Sequence, residues 1–336
     1  MSELNHRPQA RYIIDVKGLE QILTNLRSRG HTLIGPSIDA ETIVYKQISS
    51  LADLPRGWSD EQGPGYYRLR HTQDERYFNY TTSPSSWKKY LHPPQLRLWQ
   101  AQRQGSSFRS IPEASSGETY AFIGVRPCEL KAIEIQDKVF RGENYTEPRY
   151  DKIRRNAFIL AINCSRPNET CFCTSMNTGP SVEEGFDLSL TEFFENGRHL
   201  FLISIGSDAG GDAMETVPVD PVTVEQKSKC QKQYEDTCSG IRKRMVTENI
   251  RETLINNPHH PQWDKVAERC LSCANCTMVC PTCFCTTVED TTDLIGDYAE
   301  RWRRWDSCFT MDFSYVAGGH IRKSTKSRYR QWPPTS

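Results

Sequence analysis

The sequence predicts an α/β N-terminal domain with a partly parallel sheet, followed by a smaller, α-helical C-terminal region dense in cysteine. Three observations carry this reading. The apolar runs "AFIGV" (121–125), "AFILAIN" (157–163) and "HLFLISIG" (199–206) read as buried strands. A helical stretch, "RPCELKAIEIQDKVF", lies between the first two, which is the order of a parallel βαβ unit. Residues 222–257 then turn polar and mostly helical, and beyond them the chain is marked by clustered cysteines and an aromatic, basic tail. The expected organisation is an α/β domain over 1–221, a helical linker over 222–257 and a cysteine-rich domain over 258–336.

The earliest elements follow from local pattern. In "VKGLEQILTNLRSRG", Leu19, Ile22, Leu23 and Leu26 recur at helical spacing, and Gly30 is placed to stop the helix. "HTLIG", "ETIVYKQI", "YYRLR" and "RYFNYTT" read as short strands. Residues 83–118, rich in Pro, Ser and Gln, read as a long connection or partner-facing insertion with little regular structure. Cys128 and the Cys164–Cys173 loop each come directly after an expected strand, at the edge where open α/β sheets place ligands.

Composition narrows the function. The 336 residues carry 42 basic and 42 acidic side chains, a formal net charge of zero, which argues against a protein that coats nucleic acid or an acidic membrane. The hydrophobic fraction, 37%, is low for this length, so some surface is expected to be covered by a partner or cofactor. The opening "MSELNHRPQARYIID" lacks the apolar core of a secretory leader, and no window approaches the roughly 20 apolar residues of a membrane span. A cytoplasmic protein without membrane insertion is expected. In that reducing compartment thirteen cysteines, an odd number, point to metal or redox chemistry rather than to a disulfide framework.

The strongest motif is "CLSCANCTMVCP". Cys270, Cys273, Cys276 and Cys280, followed by Pro281, have the C-x2-C-x2-C-x3-C-P spacing of bacterial ferredoxins. Three closely spaced thiolates reach three irons of one [4Fe–4S] cubane, and the cysteine before proline normally serves a second cluster. At least one 4Fe–4S cluster is therefore expected. Zinc is the rival, although it usually takes two well-separated cysteine pairs. A second constellation is Cys128 with Cys164, Cys171 and Cys173, four thiols that fit either a [4Fe–4S] cluster or zinc.

Cys283 and Cys285 follow the ferredoxin run too closely to join the same cubane easily, and stand as extra ligands or structural thiols. Cys308 reads as a packed thiol on a helix with Trp302 and Trp305, with a ligand role as the alternative. Cys230 and Cys238 read as inert thiols, and His259 and His260 as solvated. "RWRRW" and "HIRKSTKSRYRQW" mix basic and aromatic residues as nucleic-acid surfaces do, but with zero net charge a partner-facing surface is the better reading. No P-loop or G-x-G-x-x-G fingerprint is present, and no residue stands out as a general acid, base or nucleophile.

Taken together, "FIGVRPCELKAIEIQDKVF", "NCSRPNETCFCTSMNTGP", "GFDLSLTE", "CLSCANCTMVCPTCFCTTVED" and "RWRRWDSCFTMDFSY" resemble the 4Fe–4S dicluster protein family. That family includes beta subunits of cytoplasmic NiFe hydrogenases (sulfhydrogenases) and the A subunit of anaerobic sulfite reductase. The resemblance implies a ferredoxin-like iron–sulfur region and an electron-transfer subunit rather than a stand-alone catalyst. Such a subunit relays electrons between a flavin- or NAD(P)-handling subunit and a catalytic subunit. Carried over by position, Cys270, Cys273 and Cys276 ligate one cluster, Cys280 reaches toward the next, and Cys128, Cys164, Cys171 and Cys173 are candidates for a further one. Similar proteins continue past "SRYRQW" into a second ferredoxin run, whereas this sequence ends at "PPTS". Three expectations follow: a shortened relative with incomplete clusters, completion by Cys280, Cys283, Cys285 or Cys308, or completion by a partner chain. A zinc-stabilised interaction module is the other functional alternative.

Overall fold

The computed structural model describes residues 10–111 and 117–335, the side chains of 314 and 333–335 excepted. Residues 1–9, which begin the stretch read for a leader, and 112–116, inside the expected connection, lie outside the described residues. In chain order the first elements are β1 (Arg11–Asp15), α1 (Val16–Ser28), β2 (Thr32–Asp39), β3 (Thr42–Gln47), β4 (Trp58–Gly63) and β5 (Tyr66–His71). Next come α2 (Lys88–Leu91), β6 (Gln95–Gln104), β7 (Ser107–Ile111), β8 (Tyr120–Val125), α3 (Pro127–Phe140) and α4 (Pro148–Asn156). They are followed by β9 (Phe158–Ile162), α5 (Cys173–Met176), β10 (Leu188–Glu195), β11 (Arg198–Ile205), α6 (Asp208–Ala213), β12 (Asp220–Pro221) and α7 (Val224–Gly240). The remainder comprises α8 (Ile250–Asn256), α9 (Gln262–Arg269), α10 (Asn275–Val279), β13 (Thr286–Thr292), β14 (Tyr298–Trp305), β15 (Tyr315–Val316), β16 (Gly319–His320) and α11 (Thr325–Thr335).

Two compact units emerge. One runs to Trp87 and resumes over Glu118–Val246; the other takes Lys88–Gly117 and the chain from Thr247 on. The first is built on an eight-stranded sheet in the order β12-β1-β11-β10-β9-β8-β2-β3. Its centre is parallel, with β2 on β8, β8 on β9 and β9 on β10, and its flanks are antiparallel. The expected partly parallel sheet is thus present. Every residue of β9 is buried, as befits a parallel strand covered on both faces. Helix α1 starts where Asp15 accepts a hydrogen bond from the Gly18 N–H at 2.9 Å. It buries Leu19, Ile22, Leu23 and Leu26 into a core that includes Leu33, Ile123, Leu160, Leu190 and Phe201.

Several expectations are corrected. "RYFNYTT" is not a strand, because buried side chains take the backbone groups that a ladder would use. The Glu192 carboxylate accepts from the N–H groups of Tyr77 (2.7 Å) and Phe78 (3.0 Å), Asp60 accepts from that of Thr81 (2.7 Å), and the Phe78 and Tyr80 carbonyls accept from Arg126. The stretch expected to lack regular structure holds the hairpin β6–β7, whose strand β6 also pairs with β14. Strand β10 was hidden in "LSLTEFFE" and supplies the parallel neighbour of β9. In the second unit, "RWRRW" is strand rather than helix: it lies in β14, inside a four-stranded antiparallel sheet ordered β13-β14-β6-β7. Trp302 and Trp305, three apart, have the spacing of one helical face, but in β14 strand pairing on both sides overrides that local pattern.

Candidate iron–sulfur sites

In the α/β unit the cysteines collect at the carboxyl end of two adjacent parallel strands. Strand β8 ends at Val125, and Arg126 and Pro127 lead into α3 with Cys128 in its first turn. Strand β9 ends at Ile162, and Cys164 follows, its N–H donating to the Pro180 carbonyl at 3.0 Å. Cys171 and Cys173 close the loop that begins at Cys164, and the Asn168 N–H donates to the Cys171 sulfur at 3.3 Å. Gly179 lines the same place at φ +149°, where a Cβ would lie 3.0 Å from Pro127 Cβ and 3.5 Å from the Cys173 sulfur. The site is therefore shaped around glycine at that point.

A buried polar clamp fixes the loop. Arg166 Nη2 donates to the Asp60 carboxylate at 2.7 Å and to the Asp60 carbonyl at 2.8 Å, and its Nε donates to the Asn79 carbonyl at 3.2 Å. Asn168 Nδ2 reaches the other Asp60 oxygen at 2.8 Å, and the Thr170 hydroxyl donates to Gln62 Oε1 at 3.0 Å. The four thiols are held within each other's electrostatic range. Burial pushes the Cys128 thiol up, and negative charge on Glu129, Cys164, Cys173 and Cys171 pushes it further. Burial and then Cys164 and Cys171 push Cys173 up to about 11. Ionising any one thiol thus resists ionising the next, and a bound cationic centre is what reconciles four thiolates in one place.

One cation is already resident. Arg126, 1% exposed, donates from Nη2 to the Phe78 carbonyl at 2.8 Å and the Tyr80 carbonyl at 2.6 Å, and lies within hydrogen-bonding reach of the Cys164 sulfur. Its Nε is buried without a hydrogen-bond partner. A sulfur-only donor set beside a buried guanidinium fits an anionic iron–sulfur group.

In the second unit the ferredoxin run follows α9 as a five-residue loop and α10, with Ser272 (φ 52°) and Ala274 (φ 63°) bending the chain sharply through left-handed conformations. The Ser272 N–H donates to the Cys270 sulfur at 3.4 Å. Cys276 is pushed up by burial and then by Cys270 and Cys273, so the three thiols lie within one another's electrostatic range. Cys280 is held down as the thiolate of a pair with Cys283, whose thiol donates to it, and Thr282 Oγ1 stands 3.1 Å away.

Cys308 is not on a helix; it follows β14 in a turn organised by Asp306 and Ser307. It is 5% exposed and packs with Ala274, Phe309, Cys270 and Cys276. Burial, then Cys285 and Cys276, push it up to about 11. Cys308 therefore lies against the ferredoxin run and within electrostatic range of Cys285. Lys88, 4% exposed, holds its ammonium 4.0 Å from the centroid of the Trp305 ring and 3.4 Å from the Thr277 carbonyl oxygen, beside Cys283, Cys280 and Cys285.

Cys230 packs with Ile13, Phe193, Leu200 and Leu202 in the core, as a thiol without metal would. Among the described residues no three Cys, His, Asp or Glu side chains gather tightly enough to grip a single ion, and no helix is long and apolar enough to cross a membrane. Arg126, Asp60 and Lys88 were missed by sequence reasoning. A trace of the first was present, since an Arg-Pro-Cys triplet after a buried strand puts a cation beside a thiol.

Residues 269–335 match the family model described as a 4Fe-4S dicluster domain, so this is an iron–sulfur protein whose cofactor is the 4Fe–4S cluster. Over 289 residues the chain is 34% identical to sulfhydrogenase 2 subunit beta of Pyrococcus furiosus, an alignment that covers 84% of this chain and 82% of that protein. The chain belongs to the 4Fe–4S dicluster family that includes this subunit. No solved structure matches it.

Proposed function

We propose that the protein is the iron–sulfur electron-transfer subunit of a multi-subunit, hydrogenase-type oxidoreductase in the cytoplasm, passing electrons between a flavin- or NAD(P)-handling subunit and a catalytic subunit. The observation that carries this is the Cys270–Cys280 run inside a dicluster domain. The relative's own name, that of a sulfhydrogenase beta subunit, supports the kind of complex. In this reading the ferredoxin-like region holds a cluster through Cys270, Cys273 and Cys276, with Cys280, Cys283, Cys285 and Cys308 as the source of further ligands. Cys128, Cys164, Cys171 and Cys173 hold another in the α/β unit.

A bound [4Fe–4S] cluster supplies one-electron chemistry. The chain's own residues do the rest. N–H groups of Asn168 and Ser272 point at ligand sulfurs, as donors that tune such sites do. The Asp60 clamp keeps the Cys164–Cys173 loop from rearranging. Anaerobic purification with iron and acid-labile sulfide analysis, together with electron paramagnetic resonance of the reduced protein, tests the reading. Iron-free, colourless protein rich in zinc would replace it with a zinc-stabilised interaction module.

A further inference from the structure

Arg126 is among the largest side chains that are almost wholly enclosed in this protein. A guanidinium stays protonated in a protein, so its charge is permanent, and burying it is costly unless an anion answers it. The structure shows that carboxylates answer it only in part: the buried Glu129 lies within electrostatic range of the guanidinium but does not pair with it. Among the described residues Arg126 forms no ion pair with a carboxylate. The nearest carboxylate in sequence, Glu129, spends one oxygen on the Tyr45 hydroxyl and the other on the Arg126 backbone N–H at 2.9 Å. The side chain reaches two neutral carbonyls, those of Phe78 and Tyr80, and lies 4.7 Å from the centroid of the Tyr80 ring. Its Nε, buried and without a partner, is left over. Besides the Glu129 charge, what faces the guanidinium is Cys164, and through it the thiol set of Cys128, Cys171 and Cys173.

We propose that Arg126 is the built-in counter-charge of the Cys128–Cys164–Cys171–Cys173 site, a positioning residue whose fixed positive charge raises the reduction potential of the cluster held there. This rests on the reading that the four cysteines bind a [4Fe–4S] cluster. The sign follows from charge. A cluster with four thiolate ligands is anionic, and its reduced form carries one more negative charge than its oxidised form. A cation fixed nearby therefore favours the reduced form, and more strongly in a buried site than in water. The carbonyls of Phe78 and Tyr80 do not compensate the charge; they aim it. They belong to the segment whose backbone is held out of strand pairing by Glu192 and Asp60, so the irregular path of residues 77–81 and the placement of Arg126 are one arrangement.

The test uses full-length, anaerobically reconstituted protein and redox titrations followed by electron paramagnetic resonance. A reference variant, Cys164→Ala with Cys171→Ala, identifies the signal and the iron that belong to this site. Arg126→Gln, which keeps hydrogen-bonding capacity but loses the charge, is expected to retain that iron while the midpoint potential of that signal moves negative. Arg126→Lys, which keeps the charge, is expected to restore most of the shift, whereas the other signals stay in place. Where Arg126→Gln fails to fold, wild-type protein carrying isotope-labelled arginine guanidinium nitrogens decides the matter. A nitrogen coupling on the site's signal, lost in Arg126→Lys, supports the proposal, and no coupling overturns it. An unchanged potential in Arg126→Gln, with the site's iron retained, overturns the role of Arg126 and leaves the cluster reading standing. A reference variant that loses neither iron nor signal overturns the cluster reading and the proposal together.

Discussion

The Asp60 carboxylate meets the Arg166 guanidinium at 2.7 Å, and the Asp60 side chain is wholly enclosed. Asp60 belongs to β4, whereas Arg166 lies in the loop between Cys164 and Cys171, so this pair ties the thiol-bearing loop to the body of the unit. The same carboxylate accepts from the Thr81 N–H and hydroxyl, each at 2.7 Å, and from Asn168 at 2.8 Å. Asp60→Ala leaves a half-buried guanidinium and several donors without an acceptor. Breaking such a pair costs about 3–5 kcal/mol. Chemical denaturation of the Asp60→Ala protein is expected to show a loss of that order, with Asp60→Asn losing less because it still accepts one or two of these bonds. A variant as stable as wild type would mean the clamp does not hold the loop.

Gly179 presents a narrower constraint. At φ +149° a side chain is strained whatever the space, and here a Cβ also meets Pro127 Cβ at 3.0 Å. Gly179→Ala is expected to destabilise the unit by about 1–3 kcal/mol. Because the displaced neighbours are Pro127 and Cys173, it is also expected to lower iron retention more than a surface substitution of equal cost. Paired measurement of unfolding free energy and iron content separates these effects.

Much of this was legible in the sequence, for reasons that differ by residue. Leu19, Ile22, Leu23 and Leu26 announced α1 because burial of one helix face imposes a period, and all four are buried. The cysteines at 128 and 164 announced a sheet edge because strand termini are where an α/β fold leaves backbone open to ligands. Residues 76–82 misled because "RYFNYTT" has strand composition, and the groups that divert it, Glu192 and Asp60, lie 115 and 21 residues away along the chain for Tyr77 and Thr81. No local pattern carries such a contact. "RWRRW" misled in the opposite sense: its Trp spacing imitates a helix, while its strand state is set by pairing with β13 just before it and with β6 some two hundred residues earlier (Arg97 to Glu300 spans 203). Lys88 gave no signal at all, because a lysine in a Pro- and Ser-rich stretch reads as solvated until the fold closes Trp305 over it.

His92 gives the second unit a dependence on pH. It is 1% exposed, its ring stacks 6.2 Å from that of Trp305, and its carbonyl accepts from Trp305 Nε1 at 3.0 Å. Burial, reinforced by Arg303 and Lys88, holds its imidazole down at about 3 against an ordinary 6.5. With the folded value depressed, the neutral ring's contribution is fully present above 6.5 and drains away as pH falls toward 3. The slope in that window is at most about 1.4 kcal/mol per pH unit. Urea unfolding followed by tryptophan fluorescence is expected to show wild-type stability falling more steeply in that window than His92→Asn, which has nothing to protonate. Parallel curves for the two proteins would refute a buried neutral His92.

Cys308 and Cys230 make the sharpest comparison among the thiols, because their burial is alike, 5% and 8% exposed, and their company is not. Cys230 packs with Ile13, Phe193, Leu200 and Leu202, an apolar cluster in which sulfur serves as a small hydrophobe. Cys308 packs among Cys270, Cys276, Phe309 and Trp332 and feels the charge of Cys285 and Cys276. Truncating either to alanine removes a buried atom and costs stability to a similar degree, so stability does not distinguish them. Iron does. Cys308→Ala is expected to lose the iron of a cubane, about four atoms per chain, and to weaken the visible absorption in proportion. Cys230→Ala is expected to keep both. If Cys308→Ala binds as much iron as Cys230→Ala, Cys308 is a packed thiol, and the ligands beyond Cys270, Cys273 and Cys276 must be sought among Cys280, Cys283 and Cys285.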